Sequence, residues 1–305
     1  MRGRRALFQL GAVIGILLIL AYLAGAFRKD LSTIEKPTWS LDPARIDSLT
    51  LIVPPDTLHL KRRTTDWILT YPLQAKADSV ALRHLALALR DLTFSHTVSM
   101  RPERYPRYGV DTTATQIILY LHNEEPVHLY LGRPGPDPGT RFIRLADGKD
   151  VWLARSRVEV TPKPAAWIDR TVLDIPPEGI QTLQVVSPEF SYEVIHTPSE
   201  WYIRMDGNEL QPDSTAFHTW IRRFHPLRAD EVVLDTTWSP ARVRNEATHR
   251  ITFKLSDGTA YHLYGVHRGT ELYLTADGRS YTYRLPGYRV SMLWLKPSSL
   301  ARKQE

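Results

Sequence analysis

The chain repeats itself, and that duplication limits its folds more than any other feature. A shift of 134 residues places Ile46 on Ile180, Leu49 on Leu183, Pro54 on Pro188, Trp67 on Trp201, Ile117 on Ile251, Leu121 on Leu255 and His128-Leu129-Tyr130 on His262-Leu263-Tyr264. The offset becomes 135 where Asp78 meets Asp213, and 130 where Ala146-Asp147-Gly148 meets Ala276-Asp277-Gly278. Such slippage is what insertions and deletions in loops produce. A near-constant offset over so long a stretch marks a repeated unit, and a unit of about 130 residues is the size of an ordinary domain.

Each unit carries the pattern of an antiparallel sheet and one helix. Ile46 to Val53 and Thr57 to Arg62 are short apolar-rich runs separated by the turn signal Pro54-Pro55-Asp56, and Trp67-Ile68-Leu69 adds a third strand. Ile180 to Val186, Phe190 to Ile195 and Trp201-Tyr202-Ile203 repeat the arrangement. Asp78 has the character of an N-cap, ahead of a helix whose Leu82, Leu85, Leu89 and Leu92 form one stripe. Its counterpart is Asp213, followed by Phe217, Trp220, Ile221 and Phe224. A meander closes each unit, with Asp147-Gly148, Asp257-Gly258 and Asp277-Gly278 at bends where two-residue hairpins favour positive φ. The longer connection Gly132 to Thr140 reads as a decorated hairpin end.

Ahead of the repeat, Leu7 to Phe27 is a run of twenty-one residues without a charge. As a helix rising about 1.5 Å per residue it matches the roughly 30 Å hydrocarbon layer. Arg2, Arg4 and Arg5 precede it, against Arg28, Lys29 and Asp30 after it, which favours an N-terminus in the cytoplasm and a body outside. Ala24-Gly25-Ala26 has the small-x-small form of a signal-peptidase site, but the apolar core is long for a signal peptide. The expected fold class is therefore α+β: an N-terminal transmembrane helix, then two tandem homologous units, each an antiparallel sheet with one packed helix. The expected divisions are a cytoplasmic stub and anchor at 1–29, a linker at 30–42, a first unit at 43–170, and a second unit with its tail at 171–305.

Charge and composition narrow the function. The formal charge of +6 is concentrated at the N-terminus; beyond residue 30 the chain carries 34 basic against 32 acidic residues. A nearly neutral body argues against nucleic acid as a partner. With no cysteine, disulfide scaffolds, thiolate nucleophiles and Cys-containing metal sites are excluded.

Catalytic motifs are missing. The nearest approach to Gly-x-Ser-x-Gly, Gly278-Arg279-Ser280-Tyr281-Thr282, ends in Thr and falls in a hairpin. Gly148-Lys149 is followed by Asp150, so no phosphate loop is present. His122 and His128 with Glu124 or Glu125 are the best local metal candidates, yet position 122 becomes Ser256 in the second unit, and a solvent-facing His is the preferred reading. Glu124-Glu125 and Asp230-Glu231 would point to opposite sides of a strand and cannot work as pairs. His128 with Tyr130, and His262 with Tyr264, share one sheet face; such rows line a ligand groove in the minority of cases and more often form a half-buried polar face. Arg101 to Tyr108 interleaves Arg with Tyr and reads as an extended, Pro-stiffened loop with Arg over Tyr rings. Trp67 and Trp201 are expected core anchors, Trp167 an aromatic at the junction of the units, and the tail from Arg289 a cap on the second unit. No catalytic, cofactor-binding or metal residue is selected.

Trp67-Ile68-Leu69 with Pro72, Ala77-Asp78, Tyr108-Gly109-Val110, Leu129-Tyr130-Leu131-Gly132 and Trp167-Ile168-Asp169-Arg170 together resemble the bacterial domain of unknown function 4340 family. In the second unit Trp238-Ser239-Pro240 replaces the Tyr-Gly pattern. The resemblance implies a single-pass protein of the bacterial cytoplasmic membrane, of a kind often encoded beside ABC-type transporters of gliding-motility type. It supplies no catalytic residue. The expected function is a non-enzymatic, anchored extracytoplasmic module that contacts the bilayer through residues 7–27 and binds a membrane or envelope protein. The alternatives are a binding domain for a small molecule or glycan and, third, an unrecognised hydrolase.

Overall fold

The computed structural model of the chain describes residues 37–302. In the first unit β1 (Ile46–Val53), β2 (Asp56–Arg63), β3 (Asp66–Tyr71) and the short β4 (Ala75–Lys76) form a meander. Helix α1 (Ser79–Arg90) follows, then β5 (Thr93–Ser99), a helical turn α2 (Tyr105–Tyr108), and a second meander of β6 (Thr115–Leu121), β7 (Val127–Pro134), β8 (Thr140–Leu145) and β9 (Val151–Arg155). The strands make one nine-stranded sheet in the order β4-β3-β2-β1-β6-β7-β8-β9-β5, and every neighbouring pair is antiparallel.

β10 (Thr171–Leu173) leads into the second unit: β11 (Ile180–Val186), β12 (Ser191–His196), β13 (Trp201–Met205), β14 (Asn208–Leu210), α3 (Ser214–Ile221), β15 (Leu227–Arg228), β16 (Glu231–Val233), α4 (Pro240–Glu246), β17 (His249–Leu255), β18 (Ala260–Arg268), β19 (Glu271–Ala276), β20 (Thr282–Pro286) and α5 (Val290–Leu293). The sheet order is β14-β13-β12-β11-β17-β18-β19-β20-β16, the same path as in the first unit. One position differs: the strand after the helix is split, so that β15 pairs with β10 and only β16 joins the sheet.

In each unit the main helix connects strands at opposite edges of the sheet. Nine flat strands would span about 38 Å, whereas the twelve residues of α1 cover roughly 18 Å. The sheet therefore curls around its helix. Leu49 and Leu51 pair with Leu119 and Ile117, and with Leu82, Leu85 and Leu89 of α1 they belong to the buried core. Residues of the alternate register, Gln116, Tyr130 and Arg144, lie side by side on the other face.

The expected α+β fold is corrected: the described chain is mostly antiparallel sheet with few helices. Among the described residues no helix is long and apolar enough to cross a membrane, and the run 7–27, expected as a membrane-spanning helix, lies outside them. Nor does each unit carry one helix only, because a short second helix covers the far face of each sheet. Residues 101–108, expected as an extended loop, form a 3₁₀ turn and α2. Gly109 ends that turn in the left-handed conformation at φ 66°, where a missing Cβ removes the steric penalty. Four residues are too few for a 3.6-residue period to appear in a sequence. In the second unit α4 is preceded by Trp238, which stacks on Tyr273 with ring centroids 4.3 Å apart.

Candidate functional site

Each unit is closed by the segment that follows its own meander. In the first, Ile168 makes an antiparallel bridge with Ala77, the Asp78 amide donates to the Trp167 carbonyl at 2.8 Å, and the Asp169 amide donates to Lys76 at 2.8 Å. In the second, Ala301 bridges Pro212, the Asp213 amide donates to Leu300 at 2.7 Å, and the Arg302 amide donates to Gln211 at 2.8 Å. The junction and the tail are thus equivalent elements. In the first unit this element also carries the chain into its partner unit, so the two sheets meet where Asp78 begins α1.

Asp78 has no exposed surface. Its Oδ1 accepts from the amides of Val80 at 2.9 Å and Ala81 at 3.2 Å, capping α1. Its Oδ2 accepts from Arg170 Nε at 3.0 Å and from Arg228 Nη2, of the second unit, at 2.7 Å. Burial pushes the carboxyl upward, but the Arg170 hydrogen bond, the Ala81 amide and the charge of Arg228 outweigh it and hold Asp78 below the ordinary carboxylate value. A buried carboxylate is tolerated only when paired and hydrogen-bonded. With four donors on its two oxygens it has no free lone pair aimed at a substrate, so its chemistry is that of a clamp. Asp213 does the capping alone, accepting from Ala216 at 2.8 Å, and is exposed.

Beside this clamp a cleft of about 530 Å³ opens between the units. The first unit and the junction contribute Asp66, Gln74, Lys76 and Asp169; the β19–β20 hairpin contributes Arg279, Ser280, Tyr281 and Tyr283. Arg279 is fixed by donating from Nε to the Val172 carbonyl of β10 at 2.9 Å, and Lys76 lies 3.7 Å from Asp66. Burial raises the Tyr283 hydroxyl to about 12, and burial also raises that of Tyr281. The walls therefore present interspersed charges of both signs and neutral tyrosines. Ser280 of the Gly278–Thr282 run lines this cleft on a hairpin, with no strand-to-helix elbow under it.

The other sequence candidates lie elsewhere. His122 faces Asp47 at 3.2 Å and Glu124 pairs with Arg45 at 2.5 Å, while His128 is turned to Gln116 at 2.9 Å. Among the described residues no group of three or more His, Asp or Glu is placed to hold a metal ion. His128 stacks on Tyr130, and Arg144 lies 3.8 Å over the Tyr130 ring and 4.5 Å over that of Tyr105. His262 is held by Asp277 at 2.6 Å and stacks on Tyr264. Neither row lines the inter-unit cleft. Asp47, Asp174 and Asp277 hold His122, His225 and His262, whereas Thr50 and Thr248 hold His59 and His249. Carboxylate and hydroxyl thus reach different imidazoles. Trp167 is buried and donates to the Thr161 carbonyl; Trp67 and Trp201 pack against the core partly buried. The Gly132–Thr140 segment folds back on itself, the Gly135 amide donating to Thr140 at 2.9 Å.

Arg228 and Arg279 were not legible as site residues. Arg228 aligns with Thr93 under the 135-residue shift, and that break in the repeat, a charge against a hydroxyl, is the one sequence sign of its separate duty.

The motif residues meet in pairs: Ala77-Asp78 with Trp167 to Arg170, as above, and Tyr108 to Val110 with Gly132, whose missing Cβ would stand 2.4 Å from the Tyr108 carbonyl. No curated protein and no solved structure matches the chain. A family model described as a domain of unknown function (DUF4340) matches residues 67–250, a span that holds Asp78, Arg170 and Arg228. Covering more than half of the chain, that match makes the protein a member of the DUF4340 family.

Proposed function

We propose that the protein is a non-enzymatic binding module on the outer face of the bacterial cytoplasmic membrane, tethered through the apolar run 7–27 with its N-terminus inside. Its inter-unit cleft docks a membrane or envelope protein, as an accessory of an ABC transporter or envelope complex. The observation that carries this reading is the cleft itself. Arg279, Tyr281, Lys76 and Asp169 are set around one concavity whose two walls are joined by the Asp78 clamp. Arg and Tyr are enriched at protein interfaces, and fixed walls reduce the ordering cost of association. The test is photo-crosslinking in intact membranes from a benzoylphenylalanine at position 280, with position 209 on the distant β14 edge as control. One reproducible envelope or membrane protein captured from 280 and not from 209 supports the proposal; equal capture from both, or none, contradicts it.

A second reading, a small-molecule or glycan site, is favoured by the cleft volume of about 530 Å³, which falls in the range of ligand pockets. A thermal-shift screen over metabolites and envelope glycans separates the two.

A further inference from the structure

A second concavity, of about 300 Å³, lies within the first unit between α1 and the β1–β3 strands. Leu82, Leu85 and Leu89 of α1, Ile46 and Leu49 of β1 and Trp67 of β3 line it, together with the polar Thr65, Ser79 and Arg83. Arg62 holds the outer side of Trp67, its guanidinium 5.2 Å from the ring, and is itself fixed by the Ala44 carbonyl at 2.7 Å. The repeat supplies an internal comparison. His196, which aligns with Arg62, stacks 4.0 Å from Trp201 and is fixed by the Ile180 carbonyl at 3.0 Å, so the outer side of the tryptophan is held in the same way. The helix is different: Phe217, Trp220 and Phe224 stand where the first unit has Leu82, Leu85 and Leu89. The Phe217 ring lies 4.9 Å from Trp201, and the residue is 1% exposed. In the second unit the residue beside the tryptophan is itself aromatic, whereas in the first it is Leu82, and among the described residues a concavity remains there.

We propose that the groove under Trp67 binds a small aromatic molecule, a flat ring inserted between Trp67 and Leu82 where Phe217 sits in the second unit. Size permits it, since an apolar cavity of about 150 Å³ already admits benzene. The chemistry agrees as well, because the aliphatic side chains and the indole face favour an offset or edge-on ring, with Thr65, Ser79 and Arg83 completing the lining.

Indole is the probe, titrated into the full-length chain with leucine methyl groups labelled for NMR. Saturable shifts are expected at Leu82, Leu85 and Leu89. In Leu82→Phe, which places in the first unit the residue the second unit already carries, the apparent affinity falls by about tenfold or more while the methyl spectrum of the second unit is unchanged. Leu85→Trp repeats the test at a second position. Shifts that fail to saturate, that map away from these leucines, or that persist unaltered in a folded Leu82→Phe overturn the proposal. The wild-type map decides by itself should neither variant fold.

Discussion

Arg228 Nη2 of the second unit lies 2.7 Å from Oδ2 of Asp78, a carboxylate of the first unit with no exposed surface. The contact joins residues 150 positions apart. It places a helix cap, an ion pair and an inter-unit tie on one side chain.

Asn caps a helix as well as Asp does, so Asp78→Asn removes the charge and spares the cap. Two guanidinium groups then lose their shared partner. Breaking a buried pair costs about 3–5 kcal/mol, but both arginines are about a third exposed, and water screens what remains; the expected loss is about 2 kcal/mol. Asp213→Asn, where there is only a cap to preserve, should stay within about 0.5 kcal/mol of wild type. Urea unfolding of the two variants checks the difference, and a cycle combining Asp78→Asn with Arg228→Ala isolates the tie across the units.

Acid should erase the same difference. The Asp78 carboxyl is lowered in the folded chain from its ordinary 3.8, so its contribution is complete above that value and is lost as pH falls through the folded value. Urea midpoints of wild type and Asp78→Asn should be well separated near neutral pH and converge as the pH drops below about 4. A gap unchanged by acid would place the stabilisation elsewhere.

His128 titrates below its ordinary 6.5, first because it is buried and second because Arg144 is near. Its neutral form is favoured on folding, so stability is present above 6.5 and declines as pH falls through the lowered folded value. NMR titration of the ring should report the lowered midpoint, and His128→Gln should flatten the thermal stability profile over that window.

Gly132 is required by close approach. A Cβ there would stand 2.4 Å from the Tyr108 carbonyl and 2.7 Å from Val110, so Gly132→Ala should cost about 1–3 kcal/mol. Gly148, whose nearest neighbours would be 3.9 Å away, should accept Ala with little change. Thermal unfolding of the two variants separates packing from any general intolerance of glycine loss.

Much of the sheet was legible because alternation repeats in both units, and the α1 stripe of Leu82, Leu85 and Leu89 is what burial requires of a helix on a sheet. The Asp-Gly pairs do fall between strands, but in connections longer than two residues and with positive φ only at Gly258 and Gly278, so they are not the two-residue hairpins expected. β5 was missed: Thr93 to Ser99 has Phe94 as its one buried large apolar residue and takes its place at the sheet edge by pairing with β9. The α2 turn was missed because it is shorter than the period that reveals a helix. Asp78 was legible as a cap through its spacing to the Leu stripe. Its arginine partners were not, since a tie between residues 92 and 150 positions apart leaves no local pattern. The cleft was invisible for the same reason, being made by the docking of one unit on the junction of the other.

If the two sheets form one body around a cleft of fixed shape, the distance across that cleft has a single value. Because the chain has no cysteine, Gln74→Cys with Ser280→Cys gives two unique sites for spin labels on opposite walls. The Tyr281 hydroxyl beside position 280 reaches the Gln74 carbonyl at 3.4 Å, so the separation is short, and dipolar broadening of the continuous-wave spectrum of the full-length chain should give a single narrow distance distribution that broadens when Asp78→Asn is added. A broad or two-peaked distribution in the otherwise wild-type chain, or a narrow one that Asp78→Asn leaves unchanged, would show that the two sheets are not held as one body by Asp78.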